Sequence, residues 1–282
     1  MQTQTSWKWK IEAHTRWFQW NLREVWQYKD LLRRLVRRDL IASYQQTVLG
    51  PLWIFVQPVL TTIVYWLIFS KIARIPTDGI PPALFYLPGI IIWNYFSDCL
   101  NGTMYTFLHN SATFSKVYFP RLIVPLSIIT SHAVRMSVQM VLFIGVYAFY
   151  LFVAGNVRPS FYILLLPFLI LLTAGFSLGA GLIISVITAK YRDLDYALQF
   201  VLRLFMFATP VVYPTSIVPL KYRFVFWLNP LTPVIETFRM AFFSSGVVHF
   251  GYLFISLLSV AALLVTGVTL FKKRELNVMD II

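Results

Sequence analysis

Apolar residues come in long runs broken by short polar punctuation, and the runs have the length of membrane-crossing helices. At ~1.5 Å of rise per residue, about 20 apolar residues span the hydrocarbon layer. The first run is 52–70, where Pro58 is expected to kink the helix. The second is 84–107. The polar stretch "LHNSATFSKVYFPR" (108–121) follows and leaves the membrane. The third run, 122–153, is too long for one upright crossing, so its lower part is expected to project beyond the bilayer. The fourth, 161–188, holds Gly175, Gly179 and Gly181, small residues that let helices approach closely. The turn "AKYRDLDYA" leads into a fifth run starting near residue 197, and a sixth, 251–271, ends in "FKKRE".

Two segments break this pattern. Residues 28–46 place Leu31, Leu32, Leu35, Val36, Leu40 and Ile41 on one helical stripe, with Arg33, Arg34, Arg37 and Arg38 mostly elsewhere. That predicts an amphipathic helix at a membrane interface. Residues 208–236, "ATPVVYPTSIVPLKYRFVFWLNPLTPVIE", carry prolines at 210, 214, 219, 230 and 233. Proline lacks an N–H and clashes with the preceding turn, so an unbroken spanning helix is excluded. Non-helical backbone is tolerated at membrane depth only where protein or a watery cavity surrounds it. A re-entrant pair of short helices fits. A plain outer loop with interfacial Tyr213, Tyr222, Phe224, Phe226 and Trp227 is the other reading.

Composition supports the membrane assignment: 58% of residues are hydrophobic and 12% charged, where a soluble domain carries about 25% charged. The expected fold is an all-α integral membrane protein with six transmembrane helices. Residues 1–50 form an interfacial segment containing the amphipathic helix, and 51–282 the transmembrane domain. No cleavable signal peptide is expected, because the beginning is polar, basic and rich in Trp (Trp7, Trp9, Trp17, Trp20, Trp26). The net charge of +13 reflects inner loops and anionic headgroups better than nucleic acid. With both termini inside, sixteen Lys and Arg fall on inner segments and five on outer ones, a clear positive-inside bias. This places the proline-rich stretch outside, between spans five and six.

The chemistry is sparse. No GxxxxGK[ST] phosphate loop occurs, so hydrolysis of a nucleotide by that route is excluded. His14, His109, His132 and His249 are scattered, and the single Cys99 has no partner for an internal disulfide or a metal site. "DLD" (193–195) has the spacing by which some sugar transferases hold a metal; the plainer reading is a solvated turn balanced by Lys190 and Arg192. Ionisable residues in or near spans are costly unless paired or hydrated: Asp98, Arg135, Arg203, Glu236 and Arg239. Glu236 and Arg239 are spaced to pair on one helix face. Arg135 and Arg203 either snorkel to headgroups or face a polar path. Aromatics crowd the first two runs, and Trp53, Tyr65, Trp66, Trp93, Tyr95 and Phe96 are candidates for a surface on which sugar rings slide; lipid-facing or core positions are the alternative.

Four stretches, "RRDLIASYQQTVLGPLWIFVQPVL" (37–60), "FSKVYFPRLIVPL" (114–126), "YRDLDYALQFVLRLFMFATPVVYP" (191–214) and "LNPLTPVIETFR" (228–239), resemble the permease subunit of ABC-2 polysaccharide and O-antigen exporters. The resemblance implies a homodimer in the bacterial inner membrane, joined to two copies of a separate ATPase that carries the ATP and magnesium. This chain needs no cofactor of its own. The cargo implied is an undecaprenyl-diphosphate-linked glycan. Residues 28–46 look like the family's interface helix, with Arg33, Arg37 and Arg38 near the lipid diphosphate. Residues 109–121 look like the coupling helix, naming Asn110, Phe114, Lys116, Tyr118 and Arg121, with Arg192 and Asp193 as a second ATPase contact. The proline-rich stretch looks like the outer re-entrant gate, naming Tyr213, Pro214, Trp227, Asn229 and Pro230. The family pattern has an acidic residue near 135 and an amide near 203, and Arg at both is expected to add to substrate binding. Rival readings are an exporter of teichoic acid, capsule, small lipid or drug on the same architecture, and a sugar transferase using Asp193 and Asp195.

Overall fold

The computed structural model describes residues 22–114, 119–154, 159–191, 193–244 and 250–279. Among these residues there are helices and turns and no strands. The chain opens with α1 (Leu22–Gln27) and α2 (Lys29–Ala42). A 3-10 turn at Gly50–Leu52 enters α3 (Trp53–Tyr65), which runs on as a π-helix to Ile72. Then come α4 (Pro82–Met104), α5 (Thr106–Phe114) and α6 (Ile123–Phe149), the last extended by a π-helical turn to Ala154. A 3-10 turn, Phe161–Leu165, precedes α7 (Leu166–Lys190). The remaining helices are α8 (Leu194–Phe207), α9 (Leu220–Leu228), α10 (Leu231–Phe243) and α11 (Phe250–Met279).

Among the described residues, four helical stretches are long and apolar enough to cross a membrane: Gly50–Ile72, Ile123–Val153, Phe161–Lys190 and Phe250–Arg274. They correspond to the first, third, fourth and sixth apolar runs. The second run becomes α4, whose 23 residues extend ~34 Å. It carries Asn94, Ser97, Asp98 and Asn101 amid its apolar residues, and most of the helix is buried by its neighbours α3, α6 and α7. The fifth run becomes α8, whose 14 residues reach only ~21 Å, short of the ~30 Å hydrocarbon layer. Its chain stops being helical where the prolines begin.

The bundle is tied most closely where glycine meets glycine. A Cβ on Gly267 would stand 2.6 Å from the Gly179 carbonyl oxygen, and one on Gly179 would stand 2.8 Å from backbone atoms of Leu263 and Leu264. The α7 and α11 backbones therefore touch. A Cβ on Gly181 would strike Thr103 of α4 at 2.6 Å, so α7 also lies hard against α4.

Two apolar clusters result. The larger gathers Phe85, Phe96, Phe143, Leu169 and Phe238 from α4, α6, α7 and α10. The smaller, at the α5 end, gathers Phe107, Phe114, Phe119, Ile123, Leu182 and Phe271. Leu31, Leu32 and Leu35 of α2 pack on this second cluster, and α2 rests against α6. Its apolar stripe is half-buried from Leu31 to Leu40, with Ile41 exposed, while Arg33, Arg34, Arg37 and Arg38 are exposed as the spacing predicts. At the opposite end, α9 and α10 form a helical pair separated by Asn229 and Pro230, and neither is long enough to cross a bilayer.

Candidate functional site

Helix α4 and its C-cap residue Tyr105 carry a polar stripe: Asn94, Asp98, Asn101 and Tyr105 recur every three or four residues and so share one face. Two cavities open along it. One, of about 220 Å³, lies between α3, α4 and α6 and is bordered by Gln57, Asn94, Asp98 and Gln139. The other, of about 440 Å³, is bordered by Arg38, Tyr105, His109, Asn110 and Ser131. His132 and Arg135 of α6 line both. The Arg135 guanidinium donates from Nη2 to Ser43 Oγ and lies 5.6 Å from the centre of the Tyr44 ring. Its Nε is buried and has no acceptor. His132 Nδ1 is 3.8 Å from Asp98 Oδ2, and Gln139 donates to the Ile54 carbonyl at 3.3 Å.

The structure does not gather the five expected substrate arginines. Arg38 and Arg135 share the larger polar cavity, where Arg38 is held by Asp39 at 2.8 Å. Arg33 and Arg37 instead rim an open groove of about 410 Å³ whose floor is Leu32, Val36, Leu40 and Ile41. Arg203 is exposed on α8 and borders none of the three. Its neighbour Leu202 is the residue that α8 buries.

Of the expected coupling residues, Lys116, Tyr118 and Arg192 lie outside the described residues. Asn110 donates to the Thr106 carbonyl at 3.0 Å and faces the larger cavity. Phe114 is 7% exposed. It packs among Phe107 and Phe119, with the Arg121 guanidinium 5.7 Å from its ring centre. Its ring is thus a support beneath the surface rather than a surface knob. Asp193 is exposed. Asp195 accepts a hydrogen bond from the Tyr105 hydroxyl. Gln199 completes this network, donating to Asn101 at 2.7 Å and to Tyr105 at 3.3 Å, while His109 stacks on Tyr105 at 4.9 Å. Sequence reasoning passed over this link between α4, α5 and α8. The polar stripe on α4 was the signal for it.

The aromatic candidates divide. Phe96 stacks on Phe176 at 5.0 Å, and Trp93 packs on Phe96 and Phe205. Both are buried within the single chain, so they belong to its core rather than to an open surface. Tyr95 is also buried but borders the smaller cavity. Trp53 and Trp66 are exposed, and Tyr65 is half-buried with its hydroxyl 3.4 Å from Met206 Sδ.

At the proline-rich end one arginine organises the chain. Arg239 Nη1 bonds Glu236 at 3.0 Å, and both side chains are buried. Nη2 donates to the carbonyls of Pro210 at 2.8 Å and Val211 at 3.3 Å. The guanidinium lies 3.9 Å from the centre of the Phe85 ring, a cation–π contact. Carbonyls stranded by the broken helix are thereby satisfied. Asn229 adds a second clasp, donating to Thr209 Oγ1 at 2.8 Å and accepting from the Leu231 N–H at 3.0 Å. Tyr213 donates to the Phe207 carbonyl at 2.6 Å, Trp227 stacks on Tyr252 at 4.9 Å, and Pro214 and Pro230 are buried.

Known proteins share this sequence pattern. An O-antigen export system permease protein, RfbA, from Klebsiella pneumoniae is 27% identical over 90% of this chain and 95% of its own length. One of the same name from Myxococcus xanthus is 29% identical over 79% and 84%. The polysialic acid transport protein KpsM of Escherichia coli is 24% identical over 88% and 94%. The family described as ABC-2 type transporter matches residues 30–243, a range that takes in α2, both polar cavities and the arginine-clasped turn. On that match the chain belongs to the ABC-2 type transporter family.

Proposed function

We propose that this chain is the membrane permease of an ATP-driven exporter of lipid-linked polysaccharide of the O-antigen type. The observation that carries the reading is the near full-length similarity to polysaccharide permeases. Two copies line the path, and two copies of a separate ATPase drive it. The chain has six crossings in a bacterial inner membrane, with α4 and α8 as the second and fifth and both termini in the cytoplasm. The excess of Lys and Arg on the α2 and α5 side supports that orientation.

The lipid anchor, an undecaprenyl diphosphate, enters at the groove on α2. Arg33 and Arg37 attract its phosphates, and Leu32, Val36, Leu40 and Ile41 meet its hydrocarbon. Exposed cations beside an apolar floor suit an anionic amphiphile. The ATPase docks on α5 and the 190–196 turn, and Tyr105–Asp195 joins these two contacts to the pore helix α4. The proline-rich pair α9–α10 dips into the outer leaflet as a gate, which Arg239 holds to α4 and to the turn.

Deleting the gene from a strain that makes the polymer, with its ATPase intact, should abolish surface polymer and leave lipid-linked polymer inside; complementation should restore export. Unchanged surface polymer in the deletion strain would reject the reading.

A further inference from the structure

The cavity between α3, α4 and α6 has a lining that a diphosphate does not need. Its formal charges cancel, since Arg135 and Asp98 both face it. A dianion entering would meet the Asp98 carboxylate, where like charges repel. Three side-chain amides, Gln57, Asn94 and Gln139, also border it, each with a carbonyl acceptor and two N–H donors. Trp53 supplies an indole at its edge.

Arg135 lines the cavity and spends one of its five N–H donors on Ser43 Oγ. A ligand that suits this lining must bring an acceptor to Arg135 and a donor to Asp98. It must offer both to the amides and a C–H-rich face to Trp53. Neighbouring hydroxyls on one pyranose ring do all of this, since each hydroxyl both donates and accepts. The volume of about 220 Å³ admits a ring and not a folded chain.

We propose that this cavity is a sugar subsite that holds one pyranose unit of the glycan. The inference rests on the exporter reading and adds the place where that reading meets the sugar itself. Because His132 and Arg135 also wall the larger cavity, a glycan held here continues past them toward Asn110.

The test uses the full-length permease in membranes of cells that make the polymer, with synthesis switched on or off. In a Cys99→Ser background, Asn94→Cys and, separately, Gln57→Cys are labelled with a small maleimide. Ser137→Cys, on the apolar cavity beside α6 and α7, is the control. With polymer present, labelling at both test positions should slow about tenfold, as for a site exposed to ligand at roughly ten times its Kd, while position 137 is unchanged. Equal rates with and without polymer, or the same slowing at 137, overturn the subsite. If export is normal in the parent strain with the native permease and lost on deletion of the gene, the exporter reading survives such a result. Surface polymer that persists after deletion overturns both.

Discussion

Arg239 and Glu236 form a buried ion pair, Nη1 to Oε1 at 3.0 Å, one helical turn apart on α10. The pair does more than neutralise itself, because the other arm of Arg239 reaches back to the carbonyls of Pro210 and Val211. A buried ion pair is weak evidence for stability, yet removing one partner strands a charge and typically costs ~3–5 kcal/mol. Arg239→Met should therefore destabilise the chain by about that much and more than Glu236→Gln, since it also strands two carbonyls. Melting temperatures of the detergent-solubilised chains check the order; equal losses would mean that the carbonyl contacts contribute little.

The α7–α11 seam makes a sharper packing prediction. Gly179→Ala puts a methyl group 2.8 Å from the α11 backbone, where nothing flexible can yield. Overpacking of this kind costs ~1–3 kcal/mol or more. Gly251→Ala meets open space and should be neutral. Abundance and thermal stability in membranes, measured side by side, separate the two.

Tyr105→Phe removes the hydroxyl that Asp195 accepts while keeping the ring on His109. The expected stability loss is small, ~1 kcal/mol. On the exporter reading, polymer export should fall while the partner's ATP hydrolysis persists. Export and hydrolysis that fall in parallel would instead point to loss of assembly.

Phe114→Ala should act through the fold before it acts on any partner. The ring is buried in the smaller cluster, and truncating a buried Phe costs ~3–5 kcal/mol. Phe114→Leu keeps most of the volume and should restore stability. Export that returns with Leu assigns Phe114 to support of α5; export that stays lost in a stable Phe114→Leu chain assigns its ring to the docking surface.

Arg33→Gln with Arg37→Gln leaves the apolar groove intact and removes its rim charges. Each arginine near an anionic surface is worth ~1 kcal/mol, so anionic-lipid binding should weaken about 30-fold and become less sensitive to salt. Sedimentation with anionic vesicles at two salt concentrations reads both effects.

Much of this was legible because it is local. The leucine stripe of α2, the broken chain at Pro210 and Pro214, the Glu236–Arg239 spacing and the small residues of α7 each predict a contact within a turn or across a flat helix face. What escaped depends on neighbours distant in sequence. Trp93 and Phe96 read as candidate surface aromatics until Phe176 and Phe205 close over them. Phe114 was named as a coupling-helix residue, and periodicity cannot show that Phe107, Phe119 and Phe271 share its apolar cluster. Arg203 read as part of a basic set, but it is exposed on α8 and borders none of the three cavities that the other arginines line.

The touching glycine backbones of α7 and α11 imply how the molecule must deform. At Gly179 and Gly267 no side chain separates the two rods and there is no clearance to slide, so they travel as one stiff beam, with Gly181 pinning that beam to α4. Bending is left to α3 and α8, which bury few of their residues. A power stroke delivered at one end would thus reach the other as tilting of those two helices around an unyielding spine.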